Sequence, residues 1–412
     1  MHPKNLSIAD FTYDLPPERI AKYPLEERDN SKLLVYKSGK ISTSIYQNLD
    51  QFLPEDTLLV FNNTKVVEAR LLFQKPTGGV IEIFCLEPGD EYPDITTAML
   101  QKANVRWKCL VGGASKWKHG MRLQKTVTTS GRQIMLEASI AGRLSDSFII
   151  ELSWYPADLS FADVLHVAGF IPLPPYLHRE VEEEDKNRYQ TIYAKYDGSV
   201  AAPTAGLHFT ETVFGKLALK NIRKEFVSLH VSAGTFKPVK AETMDYHEMH
   251  AEFIDVSDEA IHTLISYGHK TIVAVGTTSL RTIESLYWMG VKVIAEPGIN
   301  LDEIAIVQWE PYETGRVQIT TEDALKSLLA WMQKKALKRI ITKTQILIAP
   351  GYELKIAQGI ITNFHQPQST LLLLIAAILG YAWKEVYEYA LKNDFRFLSY
   401  GDGCLLWSKN VK

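Results

Sequence analysis

The chain has 412 residues, of which 46% are hydrophobic and 23% are charged. This is the composition of an ordinary globular protein, so it excludes a disordered, collagen-like or fibrous chain. The 45 Lys and Arg residues against 48 Asp and Glu residues give a net charge of −3, which excludes the overall basic charge of a protein that coats nucleic acid. At about 150 residues per domain, the length predicts two or three domains.

The cysteines and the apolar segments indicate a cytoplasmic protein. Cys85, Cys109 and Cys404 are far apart, with no spacing that would bind zinc or an iron–sulfur cluster, and this usage is typical of a reducing compartment. The first residues lack the apolar core of a signal peptide. The longest apolar run, Leu371 to Leu379, is far shorter than the ~20 residues of a membrane span, so we expect no membrane segment.

The first predicted elements are a hairpin and a buried strand. The run KLLVY at 32–36, turn residues and the stretch KISTSIY have hairpin chemistry. The run DTLLVF at 56–61 predicts a strand that ends at Asn62 and Asn63, which tolerate tight turns and can hold a ligand. Residues 71–152 then contain short β-prone runs separated by glycines. This pattern predicts a small antiparallel β-barrel or sandwich.

After residue 152 the helix and strand patterns alternate. Helices are predicted at 210–220, 258–267 and 278–288, and strands at 224–231 and 271–275. Such alternation is typical of parallel strands joined by crossover helices. The β-rich segment is therefore predicted to be an insertion in an α/β domain.

The segment 198–210, GSVAAPTAGLHFT, is the most unusual one in the chain. Its small residues would let the backbone approach a ligand closely, and Thr210 can cap the helix that follows. The alternative is a tight structural turn, but a turn would not require Thr204, His208 and Thr210 together. We interpret the segment as a ligand-binding loop.

The segment 276–281, GTTSLR, follows a predicted strand and begins a predicted helix. Backbone N–H groups and hydroxyls at a helix N-terminus bind anions such as carboxylate or phosphate, and the Arg281 guanidinium could strengthen such a site. Ordinary capping of the helix by Thr277 or Thr278 is the alternative. The spacing matches neither a Walker nor a dinucleotide-binding fingerprint.

The segment 362–370, TNFHQPQST, joins an extended run to the apolar helix. An aromatic ring and an imidazole at the start of a helix suit stacking on a base with proton transfer nearby. A buried His365 with a purely structural role is the alternative.

The segment 245–252, DYHEMHAE, invites a metal interpretation. The spacing of His247 and His250 matches neither the helical pair of zincins nor a closed zinc site, and no cysteine lies near in sequence. We therefore favour acid–base or hydrogen-bonding histidines and predict no metal.

A basic stretch lies inside the β-rich segment. Residues 101–132 contain eight Lys or Arg residues and no acid, with Trp107, Trp117 and His119 among them. A basic surface with aromatic rings is what a nucleic-acid backbone with exposed bases would need. A solvated strand face is the alternative. A second basic cluster, between Lys334 and Lys343, is predicted on an amphipathic helix.

Taken together, these segments resemble the S-adenosylmethionine:tRNA ribosyltransferase-isomerase family of the queuosine pathway. The matching stretches extend over nearly the whole chain: DFTYDLPPERIAKYPLEERDNSKLLV, FNNTKVVEARL, YQTIYAKYDGSVAAPTAGLHFT, LHVSAGTFKPV, HEMHAE, VGTTSLRTIES, APGYEL, TNFHQPQSTLL and FRFLSYGD. The resemblance implies an α/β fold in which a large α/β-barrel-like domain, residues 1–70 and 153–412, is interrupted by a small antiparallel β-barrel domain, residues 71–152.

The resemblance also implies the reaction. The ribosyl part of S-adenosylmethionine would be transferred and isomerised onto 7-aminomethyl-7-deazaguanine at the wobble position of tRNA, giving epoxyqueuosine-tRNA, adenine and methionine. S-adenosylmethionine would then be a consumed substrate rather than a cofactor, and no other cofactor is expected. The expected partners are tRNA and S-adenosylmethionine, and the expected state is a monomer.

Roles for individual residues follow as hypotheses. A base must remove a proton beside the sulfonium, and an acid must assist adenine departure. His208, His365 and Thr204 are the catalytic candidates, and His247 and His250 are the second choices. The candidates for substrate binding are Asn62, Asn63, Ala205, Gly206, Gly276, Thr277, Thr278, Arg281, Asn363 and Phe364. Of these, Thr277, Thr278 and Arg281 would hold the methionine carboxylate or an RNA phosphate, and Phe364 would stack on a base. The RNA-binding candidates are Lys65, Arg70, Arg106, Lys108, Lys116, Lys118 and Arg122.

The sequence departs from the family pattern at several places. Glu68 stands where a proline is usual, Ser232 where a glycine is usual and Gln366 where a leucine is usual. The stretch TQILIAPGYEL lacks flanking aromatic residues, and residues 300–343 form a longer segment than expected. These changes leave two alternatives: a non-catalytic or substrate-altered RNA-binding paralogue, or an enzyme that acts on a free nucleoside without needing residues 71–152.

Overall fold

The computed structural model describes residues 2–75, 77–118, 120–129, 131–231, 241–313 and 318–409. His119 and Ser232, which the sequence singled out, lie outside the described residues, as does the whole stretch SAGTFKPV at 232–239. In chain order, the strands are β1 (Lys32–Lys37), β2 (Lys40–Ile45), β3 (Leu58–Asn62), β4 (Thr64–Val66), β5 (Arg70–Gln74), β6 (Val80–Pro88), β7 (Asn104–Gly112), β8 (Leu123–Thr129), β9 (Arg132–Arg143), β10 (Phe148–Tyr155), β11 (Gly169–Phe170), β12 (Tyr196–Ser199), β13 (Arg223–His230), β14 (Glu252–Ser257), β15 (Ile272–Val275), β16 (Arg339–Thr344), β17 (Gly359–Asn363) and β18 (Gly403–Trp407). The helices are α1 (Ile95–Met99), α2 (Phe161–Ala168), α3 (Asp185–Arg188), α4 (Glu211–Leu219), α5 (Asp258–Ser266), α6 (Thr277–Ala295), α7 (Glu310–Glu313), α8 (Thr321–Lys334), α9 (Thr370–Leu379) and α10 (Ala382–Lys392).

The large sheet has the strand order β16-β14-β13-β3-β15-β17-β18-β1-β2. Its four central strands, β13, β3, β15 and β17, are mutually parallel, which confirms the predicted alternation of strands and crossover helices. Strand β3 is buried at every position, as expected for a parallel strand with helices on both faces. The flanking pairs β13–β14, β14–β16 and β17–β18 are antiparallel.

The mixed α/β class is confirmed, whereas the barrel-like closure is not seen. Within the described residues the sheet order is open, from β16 at one end to β2 at the other. Strand β2 is half-exposed along its length and pairs with β1 across a tight turn at Ser38 and Gly39, both with positive φ. This turn confirms the predicted hairpin and makes β2 an edge strand.

Helices cover both faces of the large sheet. On one face α5, α6, α8, α9 and α10 build the main hydrophobic core. On the other, α4 and the 3-10 helix Tyr46–Phe52 build a smaller core. Helix α6 follows directly from β15 and is buried for most of its length, with Leu280, Ile283 and Leu286 facing the main core. Strand β15 and helix α6 therefore fix the position of the predicted GTTSLR site.

The second sheet has the order β11-β5-β6-β7-β10-β9-β8 and consists of antiparallel pairs. It curls so that β5 and β8 approach each other, and it encloses its own core. The assignment of residues 71–152 as a separate domain stays a prediction. The core of this sheet also includes Val67 and the residues of α2 up to Ala168, and α2 begins with a capping box between Ser160 and Asp163.

The predicted helix for the second basic cluster is wrong in part. Helix α8 ends at Lys334, and Ala336 has a φ of 53°, a left-handed conformation that a continuing helix does not allow. Residues 339–344 then alternate between buried and half-exposed positions in strand β16. The cluster is therefore divided between a helix end, a turn and an edge strand.

In the part of the chain that the structure describes, no individual helix has both the length and the apolar character needed to span a membrane. Helices α9 and α10 meet this criterion only when counted together, and they are bent by 112° at the break between them.

Candidate active site

Three of the predicted functional segments meet at one edge of the large sheet. Strands β15 and β17 are parallel neighbours, with Val275 opposite Ile361, so the segments that follow them begin side by side. The loop at 201–205 lies against the same edge. Together they line a first cavity of about 100 Å³. Its lining includes Thr204, Ala205, Gly276, Thr277, Thr278, Asn363, Phe364, His365 and Gln366. Ligands of open α/β sheets bind at this edge, outside the carboxyl ends of the strands.

The N-terminus of α6 points to this cavity without a side-chain cap. Gly276 precedes the helix with a φ of 89°, which a residue with a Cβ rarely adopts. The alternative of ordinary capping by Thr277 or Thr278 is not seen, because no side chain caps this helix. The Thr278 hydroxyl is buried and has no hydrogen-bond partner among the described residues. An uncapped N-terminus with a free hydroxyl can bind an anion.

His208 and Asn363 form a hydrogen-bonded group behind the wall of this cavity. Thr204 Oγ1 donates to Asn363 Oδ1 at 2.8 Å, and Asn363 Nδ2 lies 3.3 Å from His208 Nε2. His208 Nδ1 lies 3.4 Å from the carbonyl oxygen of Arg28. Burial lowers the pKa of His208 to about 4, so this imidazole is neutral at pH 7. His208 does not line the first cavity, whereas Thr204 and Asn363 do.

His365 lines the first cavity and is held from two sides. Its Nε2 lies 3.0 Å from Thr362 Oγ1, and its backbone N–H donates to the hydroxyl of Tyr387 at 3.0 Å. The hydroxyl of Tyr13 donates to its carbonyl oxygen at 2.5 Å. The residue as a whole is half-buried, and the enclosure of its ring by protein lowers the pKa of His365 to about 3. This imidazole is therefore also neutral at pH 7 and cannot act as a charged acid in the ligand-free protein.

A second cavity of about 480 Å³ adjoins the first, and both are lined by Gln366, Ser369 and Leu371. The segment 246–250 forms one of its sides, so His247 and His250 lie here and not in the first cavity. Burial is the main cause that lowers the pKa of His247. Tyr246 lies at the rim with 83% of its surface exposed.

Arg281 lines the second cavity from α6, one turn after Thr278. It is 6% exposed and forms an ion pair with Glu252, which is 3% exposed. Its Nε donates to the carbonyl oxygen of Ile346 at 3.2 Å, and one of its terminal nitrogens, Nη2, has no hydrogen-bond partner among the described residues. A buried guanidinium nitrogen without a partner is a ready donor for an anionic ligand.

The asparagines at the end of β3 make structural contacts and lie outside the two joined cavities. Asn62 is fully buried and bonds to both the N–H and the carbonyl of Leu229. Asn63 accepts a hydrogen bond from Ser228 at 2.7 Å. Neither residue lines the first or the second cavity. The amides therefore join β3 to β13 at the expected strand end.

Two further candidates are also used in packing. Phe364 reaches the first cavity, but it is fully buried, and its ring contacts Tyr387, Phe395 and Phe397. It offers no open face for a base. Gly206 does not line the cavity; a Cβ there would overlap the hydroxyl of Tyr193, so glycine is required for packing.

Half of the eight basic residues of the stretch 101–132, namely Arg106, Lys108, Arg122 and Arg132, form ion pairs with acids from neighbouring strands and loops. Arg106 pairs with Glu151 at 3.1 Å, Lys108 with Asp90 at 2.7 Å, and Arg122 with Glu137 at 2.7 Å. Lys116 and Lys118 are exposed, and no acid pairs with them among the described residues. The stretch contains no acid of its own, but strand pairing in the folded sheet places acids from other segments next to its basic residues.

The aromatic part of the predicted RNA surface is wrong for the two tryptophans. Trp107 and Trp117 are 1% and 2% exposed and belong to the core of the second sheet. In β7 the inward positions alternate with the charged ones, so Trp107 points away from the face that carries Arg106. Outside this stretch, Lys65 pairs with Asp197 at 3.4 Å and Arg70 with Glu82 at 3.4 Å.

The departures from the family pattern fall in different places. Glu68 bonds to Nδ1 of His166 at 2.8 Å, where the chain passes into the second sheet, and it lines neither cavity. Gln366 lines both cavities. The longer segment after residue 300 contributes α8, which packs against α6.

Several cavity residues escaped the sequence interpretation. Ser399 bonds to the hydroxyl of Tyr176 at 2.5 Å, and both line the first cavity. Ser399 belongs to the stretch FRFLSYGD, so the resemblance carried a signal for it. Tyr176 lies between Pro175 and Leu177 at the end of a proline-rich run, and the sequence carried no signal for it. Among the described residues, no group of three or more His, Cys, Asp or Glu side chains could hold a metal ion.

The fold and the joined cavities define a mixed α/β protein with a ligand site at the carboxyl edge of its parallel strands. The family model of the queuosine biosynthesis proteins matches residues 8–406. A relative from Halothermothrix orenii, named S-adenosylmethionine:tRNA ribosyltransferase-isomerase, is 35% identical over 409 residues, which cover 97% of this chain and 100% of that protein. A relative of the same name from Magnetococcus marinus is 33% identical over 405 residues, covering 97% and 94%.

A crystal structure of the S-adenosylmethionine tRNA ribosyltransferase from Thermotoga maritima, solved at 2.00 Å resolution, is 28% identical in sequence. The match has a TM-score of 0.44 and covers 96% of this chain and 99% of that one. From the family match and the two full-length relatives, the chain belongs to the family of queuosine biosynthesis proteins. The resemblance seen in the sequence is confirmed, and the names of both relatives favour an enzyme over a non-catalytic paralogue.

Proposed function

We propose that the protein transfers and isomerises the ribosyl moiety of S-adenosylmethionine onto 7-aminomethyl-7-deazaguanine at the wobble position of tRNA. The products are epoxyqueuosine-tRNA, adenine and methionine. Family membership and the names of the two relatives support this reaction. The single structural observation that carries it is the pair of joined cavities next to the uncapped N-terminus of α6. S-adenosylmethionine is the substrate, and no further cofactor takes part.

The anionic end of S-adenosylmethionine binds at α6. Thr277 and Thr278 offer the free N–H groups of the first helical turn, and Thr278 adds an unpaired hydroxyl. Arg281 adds its unpaired nitrogen one turn later. Because Arg281 is buried, a polymer backbone would not reach it, which favours the methionine carboxylate over an RNA phosphate.

The proton chemistry belongs to His365 more than to His208. The sulfonium acidifies the neighbouring C–H bond, and a neutral imidazole can accept that proton. His365 is neutral at pH 7 and lines the first cavity, whereas both nitrogens of His208 are engaged behind the wall. Thr204, which also lines the first cavity, contacts the ligand as well.

The tRNA approaches the open second cavity. Tyr246 at its rim has an exposed ring on which a base can stack. The second sheet contacts the phosphate backbone of the RNA, and Lys116 and Lys118 are two of its exposed cations. Further cations contact the RNA where its phosphates displace their present acidic partners; these are Lys65, Arg70, Arg106, Lys108 and Arg122. A cytoplasmic monomer fits these substrates, and the three cysteines are free thiols.

The test uses the purified protein, S-adenosylmethionine and tRNA that carries the 7-aminomethyl-7-deazaguanine base. We expect adenine release that requires both substrates, and chromatography measures the adenine formed. The control is tRNA that carries guanine at that position. Binding of tRNA without adenine release would overturn the proposal. Adenine release with the free nucleoside alone would show a different substrate.

A further inference from the structure

We propose that His208 is a positioning residue that fixes the Thr204 hydroxyl as a hydrogen-bond acceptor toward the first cavity. This wall then binds an N–H or O–H group of the ligand. The identity of the ligand rests on the proposed function. The order of the hydrogen bonds, meaning which atom donates and which accepts in each, does not rest on it.

The order begins at the carbonyl oxygen of Arg28, which can only accept hydrogen bonds. Because His208 Nδ1 lies 3.4 Å from this oxygen, Nδ1 carries the proton. Burial lowers the pKa of His208, and the cationic Arg28 and Arg396 lower it further. The ring is therefore neutral, and a neutral imidazole has only one N–H group. Nε2 is left as an acceptor.

Asn363 transmits this order to the cavity. Its Nδ2 donates to His208 Nε2 over 3.3 Å, which leaves Oδ1 at the opposite end of the amide. Thr204 Oγ1, 2.8 Å from Oδ1, must then donate its single proton to it. A reversed amide would bring its carbonyl oxygen against the unprotonated Nε2, where no hydrogen lies between the two acceptors. The Thr204 oxygen therefore faces the cavity with lone pairs only.

The surroundings prevent the group from rearranging. The ring of Tyr46 stacks on His208 with 4.3 Å between centroids and 23° between planes. Asn363 and His208 are 2% and 4% exposed, so water cannot replace either partner. The assignment also explains why a histidine in this loop does not line the cavity: it acts through Asn363.

The first experiment reads the proton positions directly, by ¹⁵N and ¹H NMR of labelled histidine in the full chain, with the signal assigned by its loss in His208→Gln. The wild-type ring is expected to be neutral at pH 7 with its proton on Nδ1. In Asn363→Asp a carboxylate faces Nε2, so the pKa of His208 is expected to rise by about 1–3. A proton on Nε2 in the wild type, or an unchanged pKa in the variant, would overturn the proposal.

The second experiment tests the acceptor by calorimetry with S-adenosylmethionine and its 2′-deoxy, 3′-deoxy and N6-dimethyl analogues. The analogue that lacks the donor facing Thr204 is expected to bind wild type about 10-fold more weakly than S-adenosylmethionine. The variant Thr204→Val is expected to abolish this difference. The conservative variant Thr204→Ser keeps a hydroxyl and is expected to retain it. A difference that Thr204→Val leaves intact for every analogue overturns the acceptor role. If wild type does not bind S-adenosylmethionine at all, the proposed function fails, while the NMR result still decides the hydrogen-bond order.

Discussion

The two sheets of this protein differ in how their polar groups are paired. At the edge of the large sheet, the Thr278 hydroxyl and one Arg281 nitrogen are buried without a partner among the described residues. On the second sheet, Arg106, Lys108 and Arg122 each have an acidic partner. Buried polar groups in native proteins are nearly always hydrogen-bonded, so an unpaired one that also lines a cavity is a candidate contact for a ligand. Paired surface cations contribute little to stability and indicate no such contact.

The largest effect is expected at the buried ion pair of the first region. Arg281→Met removes the buried guanidinium that neutralises the buried Glu252 carboxylate, which lowers the free energy of unfolding by about 3–5 kcal/mol. Urea-induced unfolding at pH 7 measures this loss.

The matched control is the double variant Arg281→Met with Glu252→Gln. Because both members of the ion pair are then uncharged, the double variant should recover about half or more of the lost stability, yet neither variant should bind S-adenosylmethionine as wild type does. A double variant with normal binding would remove Arg281 from the site, and a stable single variant would show that the ion pair is not isolated from water.

A smaller effect per residue is expected from pH, and it belongs to the region of the large sheet. Burial lowers the pKa of His208 and His230 to about 4 and that of His365 to about 3. In the unfolded chain these side chains bind a proton near pH 6.5, while the folded chain stays neutral down to about pH 4. The free energy of unfolding therefore falls as pH is lowered through this window, by up to about 1.4 kcal/mol per pH unit for each histidine.

Urea unfolding at pH 6.5, 5.5 and 4.5 measures this dependence. His230→Leu should reduce the slope because it removes one buried imidazole, whereas His262→Gln, at an exposed position of α5, should not. Equal slopes for the two variants would contradict the assignment to buried histidines.

The smallest effect is expected on the second sheet. Replacing Lys116 and Lys118 by Gln should reduce the slope of log K against log salt for tRNA binding by about 1 to 2. Replacing Arg106 and Arg122 by Gln should reduce it less, because these side chains are already neutralised. Filter binding at several salt concentrations compares the pairs. A larger reduction of the salt slope for the arginine pair would contradict the assignment of Lys116 and Lys118 as the unpaired contacts.

Local patterns in the sequence predicted the elements and much of the cavity. The run TIVAV followed by GTTSLR indicated a strand with a helix after it, and the structure has β15 and α6 there. Such signals are local because strand alternation, small residues and helix starts depend on neighbours in the chain.

Those local patterns could not predict contacts between segments that are distant in the chain. The direction of His208 depends on the Arg28 carbonyl, which belongs to another part of the chain. The burial of Trp107 and the neutralisation of Arg106 depend on which strands pair with β7. Whether the large sheet closes depends on the pairing of its edge strands, which no single segment encodes.

Helix α6 carries Thr278 to the first cavity and Arg281 to the second, and at its far end Gly290 lies directly on the backbone of Ala324 in α8. A side chain at residue 290 would push the two helices apart. The segment that supplies α8 therefore acts as a spacer behind the edge that carries both cavities. A change in the packing of α8 would move Thr278 and Arg281 together, so we expect residues far from the cavities to affect the geometry of both.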